Sequence, residues 1–178
     1  MAHEGAICTT MGNSERNSFV CDAIEKATVR LLADRELADI NVSQIVAEAQ
    51  VSRNSFYRNY ASKEDVLLSR VRTLLGAWHA GWEASGFDSG AAMYGSLFTH
   101  LKDHADLYLL LERRSLSHLL LQVLLEQTGP RPDLDNMWAY TTAFISYGTY
   151  GWIREWMRRG MQESAESMAE LLSSHGMA

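Results

Sequence analysis

Apolar residues recur at intervals of three and four along almost the whole 178-residue chain, and the every-second-residue alternation of a half-buried strand is absent. The pattern predicts an all-α protein. Phe19, Ala23, Ile24, Ala27, Leu31 and Leu32 form the inner stripe of a first helix over residues 14–35. Val42, Ile45, Val46 and Ala49 form the stripe of a second, short helix, opened by Asn41 as cap, with Gln44 placed to reach back in a capping box. The break falls at Gln50-Val51, and Ser52 caps a third helix over residues 53–59. Ser62 then opens a long helix over residues 63–85, with Glu64 and Asp65 in its first turn, where the helix dipole favours acids.

Further on, Asp88 or Ser89 caps a helix over residues 90–104 bearing Met93, Tyr94, Leu97, Phe98 and Leu101, and Asp106 caps another short helix. The leucine-rich run 107–125, interrupted at Glu112-Arg113-Arg114-Ser115, reads as two buried helices with a bend, ended by Gly129-Pro130-Arg131-Pro132. Asp133 or Asp135 starts the longest late helix, residues 134–159, which Gly160 closes, and a last amphipathic helix spans 164–174. Residues 1–13 lack periodicity and read as a flexible lead. The organisation expected is therefore a lead over 1–13, a compact three-helix unit over 14–62, and a larger helical bundle over 63–178.

Two short helices joined by a tight turn make a helix-turn-helix, with residues 53–59 as the reading helix of a DNA-binding unit. Val51, Phe56 and Tyr60 turn inward in this reading, leaving Arg53, Asn54, Ser55, Tyr57 and Arg58 for a duplex. Arg and Asn make bidentate hydrogen bonds to guanine and adenine edges, while Ser, Tyr and Arg also serve phosphate oxygens. Asn41, Ser43, Ser52 and Lys63, close to helix N-termini that attract phosphate, complete the expected contact set.

The order Ile24-x-x-Ala27, Leu31-Leu32, Val42-x-x-Ile45-x-x-x-Ala49-x-Val51-Ser52-Arg53-x-x-Phe56-Tyr57-Arg58-x-Tyr60-x-Ser62-Lys63-Glu64-x-Val66-Leu67 resembles the N-terminal domain of the TetR/AcrR family of bacterial transcriptional regulators, over residues 15–70. A late stretch, Gly148-x-x-Gly151-x-x-x-x-Trp156-x-x-x-Gly160, resembles it more loosely. The family usually has Gly where this chain has Glu36 and Gln50, and favours Ala at the position of Val46. The resemblance implies an N-terminal three-helix DNA-binding domain, a C-terminal ligand-binding and dimerisation bundle, and a four-helix dimer interface built from the last two helices. Gly148, Gly151, Trp152, Met168, Leu171 and Leu172 are the residues expected there.

Charge sharpens this picture. The chain carries a net −6, but residues 1–72 hold nine basic against ten acidic residues, whereas residues 73–178 hold seven against twelve. Within 53–72, Arg53, Arg58, Lys63, Arg70 and Arg72 face only Glu64 and Asp65, a local +3 and a modest phosphate footprint. One copy making few phosphate contacts binds weakly at physiological salt, so specific recognition of double-stranded DNA implies a homodimer. The composition, 47% apolar and 21% charged, is that of a soluble globular protein. Cys8 and Cys21 form neither a disulfide framework nor a CxxC metal site. No signal-peptide pattern or membrane-length apolar run occurs, so a cytoplasmic location without membrane contact is expected.

The later half is rich in aromatic residues, as a pocket for an apolar or aromatic effector would be. Trp78, Trp82, Phe98, His100, His118, Trp138 and Tyr147 are the candidates, although aromatics at helical spacing are more often core than pocket. His100 and His104 stand four apart without the Glu of an HExxH motif or a third ligand, so no metal is assigned. No phosphate loop, nucleophile elbow or paired-carboxylate constellation appears; neither an enzyme nor a cofactor is implied. The residues point to a ligand-responsive regulator, a repressor at a palindromic operator, whose effector tilts the 63–85 helix and changes the separation of two reading helices. The alternative they leave open is a co-regulator of the same fold that works through a protein partner, which the small patch and the non-Gly turn favour.

Overall fold

The computed structural model describes residues 13–86 and 89–174. Nine α-helices account for most of them: α1 (Asn13–Asp34), α2 (Val42–Glu48), α3 (Arg53–Asn59), α4 (Lys63–Ser85), α5 (Gly90–Asp103), α6 (Ala105–Arg113), α7 (His118–Thr128), α8 (Asn136–Arg158) and α9 (Ala165–Ser174). A 3-10 turn over Leu37–Asp39 joins α1 to α2. The expected lead lies outside the described residues except for Asn13, which begins α1. No helix among the described residues is long and apolar enough to cross a membrane.

The expected caps form. The Asn41 side chain accepts from the Gln44 amide at 3.0 Å while the Gln44 side chain accepts from the Asn41 amide at 2.9 Å, a complete capping box. The Ser52, Ser62, Ser89 and Asp135 side chains accept from amides three residues ahead, at the starts of α3, α4, α5 and α8. Asp106 is a correction. A single residue, His104, separates α5 from α6, so it occupies the cap position without a side-chain bond and Asp106 sits inside the first turn.

Besides α4, which ends on Gly86 (φ 69°), three helices end on a left-handed residue. Gln50 (φ 56°), Ser115 (φ 58°) and Gly160 (φ 78°) follow α2, α6 and α8. In each case the next residue's amide reaches back five positions: Val51 to the Val46 carbonyl, Leu116 to Leu111 and Met161 to Trp156. This is the Schellman closure. At Gln50 and Ser115 it is held despite a side chain, at a cost of about 1 kcal/mol. Glu36 has φ −71° and ψ 147°, an extended conformation that does not call for glycine.

Helices α1–α3 form the small unit, and α4 carries the chain from it into the bundle. Ile24, Ala27, Leu32, Ile45, Phe56, Val66 and Val71 fill the small unit's interior, which is continuous with Phe98, Leu101, Tyr108, Leu120 and Trp156 farther on. In the bundle α5 packs on α9, α7 on α4 and α8, and α6 on α1 and α8. Phe19 departs from its expected inward position and is 69% exposed, on the wall of an open groove between α1 and α4.

Candidate nucleic-acid interface

The capping box seats α2, and Ser52 seats α3 beside it. Phe56 is fully buried, edge-on to Tyr57 with ring centroids 5.4 Å apart and tilted against Tyr60 at 5.9 Å. Burying that face of α3 leaves Arg53, Asn54, Tyr57 and Arg58 exposed and Ser55 half-buried, with Ser43 and Asn41 exposed on α2 and its cap. The Arg53 guanidinium donates to Ser43 Oγ and to Tyr57 Oη, both at 3.4 Å, and lies 5.7 Å from the Tyr57 ring centroid. Its planar fork is thus held outward before anything binds, which lowers the entropy lost on contact. Arg53 and Arg58 have no carboxylate partner among the described residues. Ser52 and Ser55 are engaged with one another, their hydroxyls 2.9 Å apart, so they brace the start of the helix.

Glu25, which no sequence signal marked, anchors the unit from behind. It is 5% exposed, accepts from the Tyr60 hydroxyl at 3.1 Å and the Ser69 hydroxyl at 2.8 Å, and stands 3.7 Å from the Arg70 guanidinium. Burial first, then the Glu25 charge, pushes the Tyr60 phenol well above its ordinary range, so it remains a donor. One carboxylate therefore ties α1 to the end of α3 and to α4. Its position among the apolar residues of α1 is legible only as a break in the stripe.

Two of the five cations counted in the local patch are committed elsewhere, and a third leans toward carboxylates without a hydrogen bond. The Lys63 ammonium, expected on phosphate, donates instead to the carbonyls of Leu37 and Ile40, both at 2.5 Å, and of Ala38 at 3.4 Å. It thereby satisfies the 3-10 turn that precedes α2. Arg72 makes a two-point pair with Glu126 of α7, both contacts at 2.7 Å, which raises the arginine's proton affinity and holds the carboxyl below its usual range. Arg70 turns toward Asp22 and Glu25. Farther back, Lys26 pairs with Asp22 and Arg30 with Glu48.

Arg114 joins the bundle to the small unit. Its guanidinium donates to the Leu32 and Ala33 carbonyls at 2.9 and 2.7 Å and pairs with Glu36 at 2.5 Å, capping the C-terminus of α1 from the α6–α7 corner.

The aromatic and histidine candidates are not gathered into one cavity. Trp78 donates to Ser96 at 3.0 Å and shares a shallow groove between α4 and α5 with Trp82. Phe98 is fully buried, edge-on to Trp156 at 5.6 Å. His100 lies 3.3 Å from the Tyr108 hydroxyl, and burial, then the neighbouring His104, lowers its pKa to about 4, so the ring is neutral at physiological pH. His118 is exposed on α7. Trp138 and Tyr147 stand on the outer face of α8 with Met137, Tyr140, Phe144 and Ile145, Phe144 being 69% exposed.

Of the residues expected at a dimer interface, Met168 and Leu172 are corrections. Helix α9 lays its apolar face on α5, and both are buried within the protomer. Leu171 remains exposed, Trp152 is half-buried, and a Cβ added at the exposed Gly151 would meet nothing within 4 Å, so no neighbour in the protomer explains that glycine. Gly148 is half-buried on the same helix.

Comparison with known proteins follows these two parts of the molecule. The family described as bacterial regulatory proteins, tetR family, matches residues 24–69, and one described as a transcriptional regulator C-terminal region matches residues 91–175. No curated protein matches the chain. Among solved structures, it is similar to the fatty acid degradation regulator FadR from Bacillus halodurans, at 16% identity and a TM-score of 0.58, over 89% of this chain and 95% of that one. It is likewise similar to a TetR transcriptional regulator from Streptococcus agalactiae 2603V, at 18% identity and a TM-score of 0.53, over 89% and 93% of the two chains. Those identities speak to fold alone. With a helix-turn-helix whose reading face is open, and with both parts of the chain matched, the protein belongs to the TetR family of bacterial transcriptional regulators.

Proposed function

We propose that the protein is a homodimeric, ligand-responsive repressor that reads a palindromic operator with the two α3 helices of the dimer. The observation that carries this reading is the exposed face of α3, where Arg53 is held by Ser43 and Tyr57 and neither Arg53 nor Arg58 is spent on a carboxylate among the described residues. Arg53 and Asn54 are the base-reading candidates; Arg58, Tyr57 and Ser43 serve the backbone. Residues 14–62 are the reading unit, and residues 63–178 the effector and dimerisation unit.

The dimer supplies what two free guanidinium groups in one copy cannot. Its interface is the outer face of α8, where Met137, Tyr140, Phe144, Tyr147 and Gly151 succeed one another at spacings of three and four, with exposed Leu171 on α9 beside them. A contiguous apolar face of this kind is uncommon on a monomer. Bundle motion reaches the reading unit through the Arg114 cap on α1 and the Arg72–Glu126 pair on α4.

Selection of random duplex DNA on the purified full chain at physiological salt, with a salt titration of the enriched sequence, tests the reading. An enriched palindrome whose affinity falls steeply with salt is expected. Folded, dimeric protein that enriches nothing, with or without added ligand, points instead to action through a protein partner.

A further inference from the structure

We infer that the cleft between the reading unit and the bundle is a binding site for a monocarboxylate with an apolar body. The cleft, about 570 Å³, lies where α1, α4 and α6 meet, within the roughly 300–1,000 Å³ typical of small-ligand sites. Val29, Leu74, Leu107 and Leu110 give it an apolar floor, and four cationic side chains line its walls: Lys26 and Arg30, which are paired with Asp22 and Glu48, and Arg70 and Arg113.

Arg70 identifies the head group. Its side chain is only 28% exposed, yet it makes no hydrogen bond among the described residues, its nearest carboxylates standing at 3.7 and 3.9 Å. Half-buried on the lining, with Nη1 leaning toward Asp22 and Glu25 outside it and making no hydrogen bond to them, the guanidinium keeps donors that fit a planar, bidentate acceptor. Arg113, also on the lining, has no carboxylate partner among the described residues. Asp103 and Asp106, on the same lining beside the start of α6, set an upper limit on charge: they oppose a doubly charged phosphate far more than a single carboxylate. The interior of the bundle is by contrast filled, with Phe98, Leu101, Tyr108 and Trp156 all at 2% exposure or less.

The site deepens the ligand-responsive reading and rests on it for its consequence. A carboxylate drawing Arg70 away from Glu25 alters the group that holds Tyr60 at the end of α3, and a body wedged under α6 bears on the corner from which Arg114 caps α1.

Isothermal titration of the full chain with 2-naphthoate tests it, beside 2-naphthylmethanol and 2-naphthyl phosphate, which keep the body and change the head. Saturable binding of naphthoate is expected, with the alcohol and the phosphate each weaker by about tenfold or more, as is naphthoate on Arg70→Met. Because Arg70 also faces a buried carboxylate, Ala33→Glu, at an exposed position on the rim of the cleft, provides a second variant with the same expected loss. Thermal melts establish that each variant is folded. The inference is overturned by an alcohol or phosphate that binds as tightly as naphthoate, by naphthoate binding undiminished in both variants, or by folded protein that fails to bind naphthoate up to millimolar concentration. The operator selection runs on the same protein without ligand: an enriched palindrome with no naphthoate binding removes only this site, and naphthoate binding without enrichment removes only the operator reading.

Discussion

At the scale of single residues, the contrast between Arg53 and Lys63 is instructive, because both are cations beside the start of a helix and both were expected on DNA. Arg53 is held by two long hydrogen bonds at the surface, so a base edge can replace them at little cost. Lys63 is tied to three carbonyls and has no such freedom. Arg53→Ala is expected to lower affinity for the matched operator by about 1–3 kcal/mol while leaving mismatched duplex nearly unaffected, measured by competition binding. Equal losses on both would remove Arg53 from base reading. Lys63→Ala is expected to act on folding instead, lowering stability by about 1–3 kcal/mol in a denaturant titration, since partly buried carbonyls lose their donor.

At the scale of elements, the α2–α3 turn and the α5–α6 junction each concentrate a physical constraint. The turn is a Schellman closure that demands a left-handed residue, and Gln50 tolerates it where a β-branched side chain does not. Gln50→Val is expected to destabilise by roughly 1–2 kcal/mol and Gln50→Gly to be neutral or slightly stabilising, read from urea midpoints at constant m-value. At the other junction, His100 is packed between α4, α5 and α6, near Trp78, His104 and Tyr108, and its pKa falls from an ordinary 6.5 to about 4. The folded state therefore binds fewer protons than the unfolded chain across that interval. Stability falls as pH drops below about 6.5 and the loss is complete below about 4. His100→Gln is expected to lose less stability between pH 7 and pH 4.5 than the unaltered protein, and an identical loss would assign the acid sensitivity elsewhere.

At the scale of the whole molecule, the proposed dimer would couple the outer face of α8 to the reading face of α3 through association. Two exposed guanidinium groups per copy give a shallow phosphate footprint, and only duplication places enough of them along a duplex. Phe144→Glu puts a charge in the middle of the apolar face while leaving the protomer core untouched, since that residue contacts solvent in the single chain. Sedimentation is expected to change from dimer to monomer, with operator affinity reduced far more than by any single phosphate contact. A variant that stays dimeric would place the interface elsewhere on the molecule.

What the sequence determined by itself was local. Helix periodicity, the caps at Asn41, Ser52, Ser62, Ser89 and Asp135, the closing Gly160 and the order of the reading helix all depend on residues within about five positions of one another, and each is written in the chain. Only the tertiary structure decided which charges remain free. Lys63 reaches back 26 residues to Leu37, Arg72 reaches 54 residues forward to Glu126, and Glu25 bonds to Ser69, 44 residues away. An ion pair made over such separations leaves no local signature, so a count of cations near the motif overstated the open patch. The same holds for apolar faces: Met168 and Leu171 are alike in composition and neighbourhood, and only the packing of α9 on α5 buries one and leaves the other to solvent.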